Sequence, residues 1–440
     1  MKKLIKFLSS KIKYIILIYV LVQIVLILTI NTNYRSDALY YYKLAQESIE
    51  QNEFYPAQQH IYEDYIVTPF YINILIILLK IYNSTITLSF FNLAIILLQI
   101  LLHYKITVKL FSEEIARLTI LLFILYLNTL GLMLQNYTEL FFLLLITLSI
   151  YFYILNKNLY YILAGILLGG AIAVRPMGWA LFAAFISIQL INTIKNKKVF
   201  LNYFYIYSGM IILIILFGVS TYLHFEKFEF TSTTGPVNLL LGANDDATGG
   251  FNSTVFGKGK VGYIEYPDSL TYIRKGEIYQ EQAIKWIIEN PIKWIALAPL
   301  KLFHTYGWDD IALSSLLGFG DTNFAKEIRI LVSNRGLSDS LADRTLIGRV
   351  LYFSVLILSH LFYYLLLVAI ALGIYNLFRK KLNSDATNLI LLFSLFATLM
   401  IVITVGTPRY KYPMFILMLP FAASYLEMKF GFGKPNNEKN

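Results

Sequence analysis

Few residues of this 440-residue chain could do chemistry, because they stand out from long apolar runs in which a charge is costly to keep. Asp37 lies in Asn33-Tyr-Arg-Ser-Asp-Ala-Leu-Tyr-Tyr-Tyr-Lys-Leu-Ala45, just beyond the first apolar run. A carboxylate there can act as general base on a hydroxyl, provided it stays ionised until the proton moves. The competing reading is a helix start, with Ser36 as N-cap and Asp37 at the positive end of the dipole. Arg175, in Ala-Val-Arg-Pro-Met-Gly-Trp, ends another apolar run. A bidentate guanidinium there suits a phosphate, and snorkelling to the surface would also account for it. Gly406-Thr-Pro-Arg-Tyr-Lys-Tyr-Pro-Met414 places Arg409 and Lys411 around Tyr410 in a proline-bounded turn. Such a turn can clamp a phosphate or pyrophosphate-like group, or meet anionic headgroups. Gly242-Ala-Asn-Asp-Asp-Ala-Thr-Gly-Gly-Phe251 holds Asp245 and Asp246 between glycines. Their oxygens suit a sugar or a divalent cation, although Asn, Asp and Gly are also ordinary turn residues. Glu139, in Tyr137-Thr-Glu-Leu, is a further outward carboxylate.

The elements that must position these groups are apolar helices. Hydrophobic residues make up 57% of the chain and the mean hydropathy is +0.61. Runs such as Tyr14 to Ile30, Leu118 to Leu134, Leu140 to Leu155, Ile211 to Leu223, Val350 to Leu377 and Leu389 to Val405 carry almost no charge. A succession of such runs implies a chain that crosses a membrane repeatedly. The net charge of +10 sits beside those runs, at Lys2, Lys3, Lys6, Lys11 and Lys13, at Lys195, Lys197 and Lys198, and at Arg379 to Lys381. This distribution follows the positive-inside rule and speaks for topology, not for nucleic acid. The first run lacks a small-residue cleavage site and reads as a retained signal anchor.

Placing the basic loops in the cytoplasm puts residues 104–117, 156–158, 194–199 and 379–384 inside, with both termini. Residues 31–66, the turn 128–138, Arg175-Pro176, the segment 226–346 and the turn 406–412 then face outward. The parity fails if both Phe70 to Ile81 and Leu88 to His103 cross fully. The first of these is short at about 1.5 Å per residue, so it is expected to dip into the outer leaflet. Within 226–346, Ser269 to Asn290 reads as an amphipathic helix with Ile273, Ile278, Ala283, Trp286 and Ile287 on one side. Pro291 ends it, and Ile292 to Tyr306 follows as a second interfacial helix.

Zero cysteines exclude a disulfide framework and thiolate chemistry. The five histidines show no metal-ligand spacing, and GxSxG, Walker A, HExxH and GxGxxG contexts are absent. Nothing points to an ATP-driven pump or a serine hydrolase. No cofactor is called for, beyond the divalent cation that the Asp245-Asp246 loop could take.

The order of these elements resembles the bacterial polytopic glycosyltransferases of the GT-C fold, similar to the protein O-mannosyltransferases and the aminoarabinose transferases of glycosyltransferase family 39 type. The carriers are Ser36-Asp37-Ala-Leu-Tyr-Tyr, Thr68-Pro69-Phe-Tyr, Thr138-Glu139 and Ala164-Gly-Ile-Leu-Leu-Gly-Gly-Ala-Ile-Ala-Val-Arg175-Pro176. The 242–251 loop, Ala283-Ile-Lys-Trp-Ile-Ile-Glu-Asn-Pro291 with Lys301 following, and Pro408-Arg409-Tyr-Lys-Tyr-Pro413 complete the series. The resemblance implies Asp37 as catalytic base and Arg175, Lys301, Arg409 and Lys411 on a lipid phosphate, with Glu63 or Asp64 as the second carboxylate; Glu139, as an outward carboxylate, is a further catalytic candidate. Tyr410, Asp245 and Asp246 join them as substrate-binding candidates. The chain has Val67-Thr68-Pro69 where the aminoarabinose enzymes show Glu-Lys-Pro, which argues against the same substrate.

The expected fold is therefore an all-α polytopic membrane protein of GT-C type with about 10–13 transmembrane helices, interfacial helices and one extracytoplasmic domain. Its divisions are 1–225 with a catalytic first outer loop at 31–66, then 226–346 outside, 347–429 as C-terminal helices and 430–440 as a cytoplasmic tail. The expected activity is inverting transfer of a hexosyl or pentosyl group from a polyprenyl-phosphate donor, on the extracytoplasmic face of the cell membrane. The acceptor would be a protein, a lipid or a glycan. Two rivals are a polysaccharide polymerase or ligase, which would lack the early acidic residue, and a secondary transporter, which would show two related halves.

Overall fold

The computed structural model describes residues 10–30, 34, 36–196, 202–309 and 346–431, together with Phe7 and Leu313. Lys2, Lys3, Lys6, Lys197, Lys198, the C-terminal part of the expected outer segment 226–346 and most of the tail lie outside the described residues. Apart from one isolated bridge between Gly250 and Gly406, regular structure among the described residues is helical. Lipid imposes this economy, since a helix satisfies its own backbone groups.

Among the described residues, six helices are long and apolar enough to cross a membrane: Ile12–Thr29, Thr85–Leu110, Pro176–Asn196, Asn202–Phe225, Ser354–Arg379 and Asp385–Ile403, with the bent pair Glu113–Leu125 and Asn128–Leu134 a seventh if it counts as one span. The chain is thus a multi-pass, all-helical membrane protein. The helices used below are α1 (Ile12–Thr29), α2 (Ser36–Glu50), α3 (Pro69–Ile81), α4 (Thr85–Leu110), α5 (Glu113–Leu125), α6 (Asn128–Leu134), α7 (Glu139–Ile154), α8 (Asn158–Val174), α9 (Trp179–Asn196) and α10 (Asn202–Phe225). They continue as α11 (Gly235–Leu241), α12 (Tyr272–Glu289), α13 (Pro291–Ala296), α14 (Ala298–Tyr306), α15 (Leu346–Arg379), α16 (Asp385–Ile403) and α17 (Tyr412–Phe430). Helices α3, α7 and α8 are apolar but shorter, so the long apolar helices among the described residues number six or seven where about 10–13 spans were expected. Helices α3 and α7 are nevertheless the heart of the bundle, with Tyr71, Ile72, Leu75, Phe142, Leu143 and Ile146 fully buried.

The apolar run Leu118 to Leu134 is broken just before the turn expected over 128–138. Helices α5 and α6 meet at a bend of 62°. Polar side chains at the break explain it: Tyr126 and Asn128 turn toward Asp309 instead of serving a straight helix. The expected second interfacial helix is divided too, into α13 and α14 at Leu297. On α12 the expected side packs inward, with Ala283 buried and Ile273, Trp286 and Ile287 half-buried against the cores, and Tyr272, Lys275 and Tyr279 are buried beside it. Lys275 can be buried because its ammonium donates to the Tyr62 carbonyl at 2.8 Å and the Glu63 carbonyl at 3.2 Å, and pairs with Asp64 at 3.1 Å. A hydrophobicity pattern scores that lysine as surface, whereas here it pins the first outer loop.

Two close approaches set the frame around the site. Helices α8 and α10 cross with Gly165, Gly169 and Gly209 at the contact, where the backbones nearly touch. A Cβ on Gly169 would lie 2.6 Å from the Met210 carbonyl oxygen, and one on Gly165 would overlap the Ile206 carbonyl. Small residues spaced by four allow this in lipid, where packing replaces the hydrophobic effect as the adhesive. The second approach joins the 242–250 loop to the segment after α16. Gly242 sits on the Thr404 carbonyl, Gly406 sits on the Lys301 carbonyl, and the Gly406 N–H donates to Gly249 O at 2.9 Å. A satellite core of Leu240, Leu241, Ala243, Val255, Tyr279 and Ala283, closed by Val405, forms beside this seam.

Candidate active site

The site is assembled where helix ends meet. Ser36, at φ +50°, opens α2 and its side chain hydrogen-bonds the carboxylate of Asp37. Glu139 is the first residue of α7, Arg175 is the C-cap of α8, and Arg409 and Tyr410 belong to the single 3₁₀ turn Pro408–Lys411. Asp37 and Glu139 therefore sit at helix N-termini, which favour anions. Pro176, just after the end of α8, and Pro408 each open a short 3₁₀ turn, where a missing N–H is tolerated.

Charges alternate through the cluster. Arg409 pairs directly with Asp37, and its Nε lies 3.6 Å from Glu139 Oε1. Arg175 Nη1 lies 2.7 Å from the same Glu139 oxygen and donates to Thr138 Oγ1 at 3.2 Å. Aromatic faces hold both guanidiniums: Arg409 lies 4.1 Å from the ring centre of Tyr137, and Arg175 lies 5.0 Å from that of Tyr410. Glu139 is 1% exposed, and Arg175 and Arg409 are 14% and 16% exposed, whereas Asp37 is 44% exposed. Glu139 is thus the internal strut of the cluster and Asp37 its accessible carboxylate.

Burial raises the pKa of Asp37, yet Arg409, by charge and by hydrogen bond, and then Arg175 and Ser36, outweigh it and hold the carboxyl below its usual range. Burial works against the charge on Arg409, but Glu139 and Asp37 raise its pKa well above the ordinary value, and Glu139 does the same for Arg175. Tyr41 lies against it, and burial reinforced by the Asp37 charge pushes its phenol well up, so it serves as a neutral hydroxyl.

Of the residues singled out by sequence, Asp37, Glu139, Arg175, Arg409 and Tyr410 come together. Lys411 is adjacent in sequence but turns away, to Asp309 at 3.1 Å and to the Thr305 carbonyl at 3.1 Å. Lys301 is fully buried and donates to the Val402 and Ile403 carbonyls at 2.9 and 3.4 Å, at the C-terminal end of α16, with Trp294 beneath its ammonium. Burial pushes its pKa down to about 8. Asp245 and Asp246 stay in the outer loop, Asp245 accepting from Trp286 Nε1 at 3.0 Å and Asp246 pairing with Lys260 at 2.8 Å. No three His, Asp or Glu side chains converge on a common point among the described residues.

Sequence reasoning missed Tyr137, Tyr41 and Asp309. Tyr137 could have been found beside Thr138-Glu139, where an aromatic next to a charged helix start is a ready guanidinium platform. Nothing in the one-dimensional pattern singles out Asp309.

No protein-family model matches the chain, and no curated protein matches it. Among solved structures it is similar to the apo crystal structure of the Archaeoglobus fulgidus oligosaccharyltransferase, at 15% identity and TM-score 0.47, over 96% of this chain and 50% of that one. It is also similar to the same organism's oligosaccharyltransferase in complex with Zn and sulfate, at 14% identity and TM-score 0.47, covering 94% and 49% of the two chains. A third similar structure is that archaeal oligosaccharyltransferase with an inhibitory peptide and a dolichol-phosphate, at 14% identity and TM-score 0.46, covering 95% and 51%. The chain spans about half the length of these proteins.

Proposed function

We propose that this chain is a membrane glycosyltransferase of the GT-C type that moves one sugar from a polyprenyl-phosphate carrier to a hydroxyl acceptor. The observation that carries the reading is the Asp37–Arg409 pair: an accessible, ionised carboxylate against a guanidinium that two further partners hold in place. The donor inserts between them. Its phosphate takes Arg409, with Arg175 behind, and Asp37 is left facing the acceptor across the sugar.

The reaction is then a single displacement. The acceptor oxygen forms a bond to the anomeric carbon while the bond from that carbon to the phosphate oxygen breaks. The leaving phosphate keeps the electron pair, and Asp37 takes the acceptor proton. Two preorganised guanidiniums stabilise the departing charge without reorganising at the moment of reaction. One displacement inverts the anomeric centre. Among the described residues, Lys301 and Lys411 are turned away from the cluster to backbone carbonyls and Asp309, and the two guanidiniums at the site suit a monophosphate diester. The sugar is a hexose or pentose, and the acceptor hydroxyl belongs to a protein, a lipid or a glycan on the extracytoplasmic side.

The test measures transfer of labelled sugar from a panel of polyprenyl-phosphate donors to a membrane extract, with purified wild type and Asp37→Asn. Loss of a general base costs about 10²- to 10⁴-fold. Transfer by wild type and its loss in a folded Asp37→Asn variant supports the reading. Equal transfer by both removes Asp37 from the chemistry, and no transfer from any donor in the panel rejects the function.

A further inference from the structure

Beneath the cluster lies a second ionic pair that the proposed chemistry does not use. Lys411 and Asp309 are 1% and 3% exposed and 3.1 Å apart. Burying two charges is costly and is recovered only with close to complete hydrogen bonding, so such a pair calls for a role beyond stability. Its bonds reach three separate parts of the chain. Lys411 donates to the Thr305 carbonyl at 3.1 Å, to the Trp308 carbonyl, and to Pro408 O of its own turn at 3.3 Å. Asp309 accepts from Tyr126 OH at 2.7 Å, its carbonyl accepts from Asn128 Nδ2 at 2.6 Å, and its N–H donates to His360 Nε2 at 3.3 Å.

Each of those parts carries something the site needs. The turn holding Lys411 presents Arg409 and Tyr410. The bend at 126–128 leads through α6 to Tyr137, Thr138 and Glu139, and Thr129 on α6 bonds the Tyr412 hydroxyl at 3.1 Å. The two halves of the charge cluster thus arrive on different segments and share one tie below the reacting groups. We propose that Lys411 and Asp309 are positioning residues that hold Arg409 in register with Glu139 and Asp37. Its catalytic readout rests on the function proposed above, while its structural readout does not.

The experiment compares wild type with Lys411→Met, with Tyr126→Phe, which deletes one hydrogen bond to Asp309, and with the apolar double variant Lys411→Met/Asp309→Leu. Phenylglyoxal labelling of Arg409 and Arg175, read by mass spectrometry, reports guanidinium access, and donor transfer and thermal unfolding are measured alongside. Replacing both charges lets the double variant recover stability lost in Lys411→Met. Methionine cannot tie the turn to the 305 and 308 carbonyls. The expected result is therefore raised labelling of Arg409 with Arg175 unchanged, and transfer lowered by up to about 10²-fold, in Lys411→Met and in the stable double variant alike. Tyr126→Phe shifts both readouts in the same direction by less. Wild-type labelling and transfer in a stable double variant would make the pair a structural element only and overturn the proposal. If wild type transfers nothing, the function fails, and the labelling comparison still decides this inference; if the double variant does not fold, unchanged labelling in Tyr126→Phe rejects it.

Discussion

Arg409→Gln separates electrostatic work from structural work within the cluster. The substitution removes one positive charge that faces Asp37, lies 3.6 Å from Glu139 and stacks at 4.1 Å on Tyr137. Its structural cost is smaller than that of losing Glu139, because Glu139 keeps Arg175 at 2.7 Å and Asp37 is exposed enough for water to replace a partner. Its catalytic cost is large, because one preorganised donor aimed at developing charge contributes about 3–4 kcal/mol, or about 10²- to 10³-fold in rate. The pH dependence carries a sign. Burial raises the Asp37 pKa and Arg409 is the leading cause that lowers it, so removing the guanidinium moves the pKa up and the acid limb of kcat/KM moves up with it. In the wild type the pairing contributes stability above the unfolded carboxyl pKa and loses it as pH falls through the depressed folded value, so the two proteins converge in stability in acid. Initial rates of sugar transfer across the acid and neutral range, with thermal unfolding of the same samples, measure all three effects. A folded variant whose rate stays within a few-fold of wild type and whose acid limb does not move would refute the placement of Arg409 at the phosphate.

Glu139→Gln leaves Arg175 and Arg409 without their shared buried counter-ion, and removing one partner of a buried pair costs about 3–5 kcal/mol. Thermal unfolding in detergent should show a marked drop, larger than that of Arg409→Gln, and equal midpoints would contradict the strut role. Gly165→Leu forces a side chain into the Ile206 backbone at the α8–α10 crossing, so the helices must separate. Overpacking costs about 1–3 kcal/mol or more, visible as a lowered unfolding midpoint, and an unchanged midpoint would show that the crossing is not tight.

Much of the architecture was legible because lipid enforces long apolar runs, and their ends carried the few unexplained charges. Asp37, Arg175 and Arg409 stood out for that reason. The partners of those charges were not legible, because pairing depends on which helix ends meet. Lys411 and Arg409 are two residues apart on one turn and read alike, yet a 3₁₀ turn sends them in different directions. A turn was expected over 128–138, but what draws Tyr126 and Asn128 at its start was hidden, because Asp309 is remote in sequence. On α12, an alkyl stem lets Lys275 share the buried side with Tyr272, Tyr279 and Ala283, its head satisfied by the Tyr62 and Glu63 carbonyls.

The seam between the 242–250 loop and the segment after α16 bears on engineering. Gly242 rests on the Thr404 carbonyl and Gly406 on the Lys301 carbonyl, with no room for a single methyl group at either place. The outer loop, α14 and the arginine-bearing turn consequently behave as one cassette. A chimera that imports a foreign 242–250 loop should carry the matching 404–411 stretch with it, because a mismatched graft would wedge the seam open and displace Arg409.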